Sequence, residues 1–278
     1  MPENNRIVID TDTEELLCEI CERVAIITLN RPHARNSLSD NLTPALRRMI
    51  KDRGEDDRAG ALLITGAGDS FCAGGDVKSM GGNRAAPSVE RSFEEKVATL
   101  RERQRTLTGA LMSLRKPTIA ALPGPAAGAG LALALACDLR IAGESAFLAT
   151  GYARIGLSGD YGAAWLLTRL AGPARARELM LLGERIDARR CETLGLINLV
   201  VPDAELREAA FKMARRLAEG PQLAYARIKD NLDHALGASF VESMDQEAEN
   251  MVRTAVTADH KEAVRAFVEK RKAVFRGI

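Results

Sequence analysis

The sequence predicts an α/β fold followed by an all-helical C-terminal region, on three observations. Short apolar strands alternate with helical segments as far as Val201. Beyond that point the pattern turns to helices alone. Between Gly124 and Gly162 the chain reads GPAAGAGLALALACDLRIAGESAFLATGYARIGLSGDYG, a glycine-rich turn running straight into an apolar helix. Alternation of strand and helix is the mark of an α/β architecture. The expected division is an α/β core over 1–201 that carries the site, and a helical oligomerisation region over 202–278.

Glu14 to Leu29 reads as a strand hairpin turning near Glu22 and Arg23, with the β-branched run Val24 to Thr28 as its second strand. Asn30-Arg31-Pro32 stops it. Ser39 is placed to cap a helix with Leu42, Leu46, Met49 and Ile50 on one face and Pro44 in its first turn. Ala61 to Thr65 is a short buried strand, followed by a second glycine turn, SFCAGGD, from Ser70 to Asp76. Gly81 to Pro87 reads as a loop, Val89 to Leu114 as one long amphipathic helix, and Pro117 to Leu122 as the strand that feeds the central stretch. Leu131 to Ala136 predicts a buried helix, and Ala163 to Leu170 another. In the C-terminal region Ala204 to Glu219 stops at Gly220-Pro221, and Ser239 with Glu242 makes a capping box. Asp259 with Glu262 offers a similar pairing for a last helix whose apolar side carries Ala263, Val264, Phe267 and Val268.

Composition narrows the function. The 278 residues carry 39 basic and 38 acidic side chains, a net charge of +1. That balance gives no electrostatic argument for nucleic acid or a membrane surface. No apolar run reaches the roughly 18 residues of a membrane span, and the polar, acidic N-terminus resembles neither a signal nor a transit peptide. A cytoplasmic location is the expectation. Five scattered cysteines form no disulfide framework, and Cys18 with Cys21 reads as two core thiols, since no second pair completes a zinc site. The three histidines match no metal-ligand spacing, so no metal is expected.

Several motifs fail on inspection. Gly128-Ala129-Gly130 begins a dinucleotide fingerprint, but Leu133 stands where the third glycine belongs. No glycine loop is followed by Gly-Lys-Ser/Thr, and Ser158 sits in GLSGD instead of a nucleophile elbow. What remains is a pair of turns. The first amides of a helix that follows a glycine turn are unpaired and favour negative charge. Asp160 lies in a second glycine-flanked turn. An anion-stabilising turn and a lone carboxylate are two parts of a carbonyl-activating site.

These pieces, in order, resemble the crotonase superfamily of enoyl-CoA hydratases and isomerases. The resemblance is carried by LNRPHARNSL (29–38), SFCAGGDVKSM (70–80), KPTIAALPGPAAGAG (116–130) and ACDLRIAGESAFL (136–148). It continues through LLTRLAGPARARELMLLGERIDA (166–188), GLINLVVPDAEL (195–206) and AFVEKRKAVF (266–275). It implies a spiral of ββα units with a C-terminal helical trimerisation region, assembled as a homotrimer or a dimer of trimers. It also implies an acyl-CoA substrate and no separate cofactor. The positions matching the oxyanion amides are Gly75 and Ala129. Those matching coenzyme A contacts are Ala34, Arg35, Ala73 and Gly74, with Phe267 and Lys270 often reaching a neighbouring subunit.

The departures bear on the reaction. Where hydratases of the family carry two water-handling glutamates, this chain has Ala132 and Tyr152. Asp160 instead matches the acid/base aspartate of the branch that isomerises the ring epoxide of phenylacetyl-CoA, whose LGLxxDxGGTWLL resembles IGLSGDYGAAWLL here. The dehalogenase branch also has this aspartate, but its tryptophan and histidine partners are replaced by Tyr152 and Arg105. An isomerase using Asp160 as a single acid/base, with Tyr152 and Tyr161 beside the substrate, is the first expectation. A hydratase drawing on Glu90, Glu94 or Glu95 is the second and an acyl-CoA hydrolase the third, with a non-catalytic acyl-CoA-binding protein outside catalysis. Asp76 and Asp138 are expected to fix turns.

Overall fold

The computed structural model describes residues 6–75 and 91–278. The loop over 81–87, Asp76, Glu90 and the start assigned to the long helix at Val89 lie outside the described residues. Strands β1 (Arg6–Ile9), β2 (Leu16–Cys21) and β3 (Val24–Leu29) pair antiparallel. Glu22 (φ 47°) and Arg23 (φ 64°) make the two-residue turn of the predicted hairpin. A type I′ turn needs positive φ at both central positions because its twist matches that of the strands it joins. The sheet continues in parallel through β4 (Ala61–Gly66) and β5 (Thr118–Leu122). β6 (Ala126–Ala127), β8 (Phe147–Ala149) and β9 (Arg185–Asp187) form a second, three-stranded sheet. β7 (Leu139–Gly143) and β10 (Leu199–Val201) complete the first, in the order β1-β2-β3-β4-β5-β7-β10.

The parallel strands are buried on both faces, which is why ALLITG and TIAAL read as continuous apolar runs. One face carries Ile27, Leu62, Ile64, Ala120 and Leu122 against α1 (Leu42–Glu55). The other carries Ile26, Leu63, Ile119 and Ile141 against Leu206, Ala210, Phe211 and Ala214 of a later helix. Cys18 belongs to the first cluster and Cys21 to the second. Burial pushes the Cys18 thiol up to about 11, as befits a core thiol. Ser39 caps α1 as expected, its hydroxyl accepting the Leu42 amide at 2.9 Å.

The predicted long helix is broken. It begins at Phe93 under a Ser92–Glu95 capping box, as α2 (Phe93–Gln104). It passes through a π-helical turn at Arg105–Gly109 and ends as α3 (Ala110–Ser113). No residue of α2 is buried, so its apolar stripe does not face the core. The π turn adds a residue and re-phases the helix. Leu107 within it and Leu111 after it are fully buried. α4 (Ala129–Leu135) is buried at every position, and the guanidinium of the buried Arg140 donates to Leu135 and Cys137 carbonyls at its C-terminal end. The helix read as 163–170 is the first limb of α5 (Ala163–Leu182), which bends at Gly172 ahead of Pro173.

After α6 (Ala188–Thr193), α7 (Leu206–Ala218) supplies the helix that covers the second face of the sheet. α8 (Gln222–Ala235), α9 (Phe240–Ala255) and α10 (Ala258–Val268) follow. Arg115 to Asp230 and Asp233, 2.8 Å each, and Lys229 to Asp138, 2.7 Å, tie α8 to the body. Asp138 also accepts the Thr118 amide and hydroxyl, the turn-fixing role expected of it. The capping box of Ser239 and Glu242 is present.

One expectation for the last helix fails. Thr257, extended at φ −69°, ψ 156°, caps α10, whereas Asp259 is buried and accepts the Arg276 and Gly277 amides at 2.7 and 2.9 Å. Glu262 pairs with Arg271 instead of closing a box. The apolar side is not packed within the chain. Val264, Phe267 and Val268 are exposed, and Ala266 is the residue that turns inward. Among the described residues no helix is long and apolar enough to cross a membrane, and no cluster of His, Cys, Asp or Glu could hold a metal ion.

Candidate active site

The two glycine turns meet. The Phe71 and Cys72 amides both donate to the Pro125 carbonyl, at 3.0 and 3.1 Å, and the Ala127 amide donates to Cys72 at 2.9 Å. On the other side the Ala73 amide donates to the Arg35 carbonyl (2.9 Å) and the Leu38 amide to the Gly74 carbonyl (2.8 Å). The segment from Ala73 to Gly75 is therefore held between residues 35–38 and 126–129. Gly74 has φ +87°, and a Cβ there would lie 2.6 Å from the Ala127 carbonyl oxygen and 3.2 Å from the Ala129 nitrogen. Only glycine permits that approach.

Ala129 opens α4 after Gly128, whose φ of 53° and ψ of −122° belong to a region that L-residues avoid. Gly128 supplies no side-chain cap, and its carbonyl accepts the first helical bond, from Ala132 at 3.1 Å. The amide of Ala129 thus belongs to the first turn, where helix amides have no partner within the helix. Ala132, matched to a family glutamate, is fully buried one turn further along.

Tyr152, matched to the other glutamate, is only 6% exposed. Its ring carbons come within 3.9 Å of the Cβ position of Gly128 and 3.7 Å of that of Gly159. Its phenol donates to Oδ1 of Asp160 at 2.8 Å. Asp160 is half-buried in a turn where Gly159, Tyr161 and Gly162 all have positive φ. The Tyr161 amide donates to Oε1 of Gln104 at 2.7 Å, which pins this turn to the end of α2. The N-cap of α5 is Gly162, and the Ala163 amide donates to the main-chain carbonyl of Asp160. The carboxylate is not spent on capping.

Burial raises the Asp160 carboxyl above its ordinary range, and the hydrogen bond from Tyr152 opposes that shift. Burial, followed by the charge of Asp160, pushes the Tyr152 phenol up, so it stays protonated and serves as a donor. The buried Tyr161 phenol is likewise raised, against the opposing charge of Arg47 from α1. A carboxyl raised by burial and held by a phenol donor suits proton transfer at a carbonyl-activated carbon.

Of the sequence-assigned residues, Ala34, Arg35, Ala73, Gly74, Gly75 and Ala129 come together around one turn, with the Tyr152 ring against Gly128 and Asp160 hydrogen-bonded to Tyr152; Tyr161 follows Asp160 in the second turn. Phe267 and Lys270 sit at the exposed end of α10. Among the described residues neither makes a hydrogen bond or ion pair with the turns. Glu95 is engaged in its capping box, and Glu94 is exposed. A cavity of about 860 Å³ opens on the α7 side of the sheet among Leu17, Ile26, Leu63, Thr65 and Leu206; the turn residues do not line it.

Two residues of the site escaped the sequence reading. Gln104 carried no local signal. Asn36 did, being an asparagine just after a turn, and it is fully buried at φ 54°. It accepts the Arg31 amide and donates to the Ala67 and Ser70 carbonyls at 2.9 and 2.7 Å, joining the two sides of the glycine turn. Asn36→Ala strands these groups, each worth roughly 1–3 kcal/mol when buried unpaired. Urea unfolding should show a loss of about 3 kcal/mol or more.

The family model described as enoyl-CoA hydratase/isomerase matches residues 19–277. A 1,2-epoxyphenylacetyl-CoA isomerase of Escherichia coli (strain K12) is 36% identical over 270 residues, 95% of this chain and 99% of the relative. A mitochondrial enoyl-CoA hydratase of Pongo abelii is 34% identical over 91% of this chain and 83% of its own length. The crystal structure of an enoyl-CoA hydratase from Bacillus anthracis superposes with a TM-score of 0.87 at 32% identity, covering 95% of this chain and all of that one. The fold is thus the crotonase fold. The chain belongs to the enoyl-CoA hydratase/isomerase family.

Proposed function

We propose that this protein isomerises an acyl-CoA thioester by moving a proton, with Asp160 as the single acid/base and the amides of Gly75 and Ala129 as the oxyanion hole. The observation that carries the reading is the placement of a half-buried carboxylate, free of capping duty, beside the Gly128–Ala129 turn. The Asp160 carboxylate takes a proton from a carbon conjugated with the thioester. Electron density moves onto the thioester oxygen, where the two amides stabilise the enolate. Asp160 then returns the proton to a second carbon, so atoms and charge balance with no co-reactant. Each preorganised donor contributes roughly 3–4 kcal/mol to such a step.

Hydration needs a second group to hold and split water. The positions matched to that pair are a fully buried alanine and a phenol that is a donor. The apolar side chains exposed on α9 and α10, Phe240, Val241, Val252 and Phe267 among them, suit burial against neighbouring copies in a trimer or a dimer of trimers. That assembly is the means by which Phe267 and Lys270 would reach a coenzyme A nucleotide. The test is incubation with 2-enoyl-, 3-enoyl- and aryl-CoA thioesters in deuterated water, read by mass spectrometry. Solvent deuterium on carbon with a displaced double bond or ring bond is the expected product. Water addition without isomerisation would overturn the reading in favour of a hydratase.

A further inference from the structure

We propose that Tyr152 is a positioning residue for proton transfer: its phenol holds one oxygen of Asp160 and leaves the other to carry the proton, while its ring spaces that carboxylate from the Gly128–Ala129 turn. The inference deepens the isomerase reading and rests on it. The geometry is specific. The ring of Tyr152 is wedged between two glycine positions, 3.9 Å from the Cβ site of Gly128 and 3.7 Å from that of Gly159. One glycine belongs to the turn that presents the amide, the other to the turn that presents the carboxylate. The ring therefore sets the gap between the two halves of the chemistry. At its tip the hydroxyl donates 2.8 Å to Oδ1 of Asp160. Oδ2 has no such partner in the hydrogen bonds of the described residues.

The electrostatic consequence has a definite sign. A hydrogen bond to the ionised form favours that form, and burial disfavours it. Around Asp160 these two effects oppose each other, with burial the larger. The other titratable or charged groups around this turn are the Tyr161 phenol, which acts on Tyr152, and Arg47 from α1 and Arg103 from α2, which act on Tyr161. Tyr152 is the one that bonds the carboxylate. Because its own phenol stays protonated, it cannot compete as a base. It also fills the room that a water-handling carboxylate would need, which accounts for a single acid/base at this site.

The test is the pH profile of kcat and kcat/KM for a thioester turned over in the deuterium assay, measured on the wild type, Tyr152→Phe and Asp160→Asn. Phenylalanine keeps the ring and removes the donor. The active form of the base is the carboxylate, so rate is lost as pH falls through an acid limb. Removing the donor leaves the proton bound to higher pH, and the limb should move up by about one pH unit. Below the limb that is roughly a tenfold loss, largely recovered above it. A uniform fall in kcat with an unmoved limb, or a wild-type profile, would overturn the inference. Should Tyr152→Phe fail to fold, difluorotyrosine at position 152, a stronger donor, should move the limb down. An unmoved limb there overturns the inference equally. Turnover that survives in Asp160→Asn sinks the acid/base reading itself. An inactive Asp160→Asn with an unmoved limb in Tyr152→Phe sinks only the role given to Tyr152.

Discussion

Asp160→Asn should abolish most turnover while leaving the protein at least as stable as the wild type. The amide is the same size, and its oxygen can still accept the Tyr152 phenol, so the turn at Gly159 to Gly162 has no reason to move. What disappears is the proposed base. Removing a positioned acid/base costs roughly 10²–10⁴ in rate. The stability half of the prediction separates catalysis from architecture. Were Asp160 a helix cap, Asp160→Ala would cost about 1 kcal/mol, whereas asparagine caps about as well as aspartate, so the alanine variant is the one that reads a capping role. The structure gives that cap to Gly162, and no ion pair of Asp160 is present among the described residues. Instead its carboxyl is raised by burial. A group that holds its proton more tightly when folded contributes stability at low pH, and that contribution is lost as pH rises through its folded value. At neutral pH the charged, half-buried carboxylate is therefore a cost that asparagine removes. Urea unfolding should show the variant equal to or more stable than the wild type near neutrality, with the gap closing in acid. A clear loss of stability with activity retained would make Asp160 structural.

What the sequence made legible is what is decided locally. The hairpin turn at Glu22-Arg23, the Ser39 and Ser239 caps and the buried strand runs follow from a few adjacent residues each. So do the glycine turns, because a missing Cβ is visible in the sequence even when its neighbour is not. The contact that joins Tyr152 to Asp160 depends on three positive φ values between Gly159 and Gly162, one of them on a tyrosine. Nothing in the local pattern of YARIGLSGDYG dictates that path. Gln104 reaches Tyr161 across 57 residues, at the end of a helix re-phased by a π turn that no periodicity announces. The last helix shows a different limit. Its apolar residues have the right spacing for a packed face, but that face is turned outward in the chain, and spacing alone does not say which surface it meets.

Gly74→Ala should cut kcat by roughly 10²–10³, with the fold retained, because it separates the two amides proposed to face the thioester oxygen. A methyl group at this position meets the Ala127 carbonyl at 2.6 Å and the Ala129 nitrogen at 3.2 Å. Neither neighbour is a flexible side chain. The Ala127 amide is fixed by Cys72, and residues 71 and 72 are fixed by Pro125, so relief has to come from the segment around Gly74 and Gly75 or from the start of α4. Either movement displaces one of the two proposed donors, Gly75 or Ala129. An interaction made more strongly in the transition state than in the ground state appears in kcat, so KM should change much less. The φ of +87° adds backbone strain of about 1–3 kcal/mol. Gly156→Ala is the control for strain alone. Its φ of +70° is also left-handed, but a Cβ there meets nothing within 4 Å. That variant should lose about 1–2 kcal/mol of stability and keep its kcat. If both variants lose stability and neither loses rate, the close approach of the two turns serves the fold, and the oxyanion site lies elsewhere. If Gly74→Ala alone loses rate, the glycine is there to bring the two amides within reach of one oxygen.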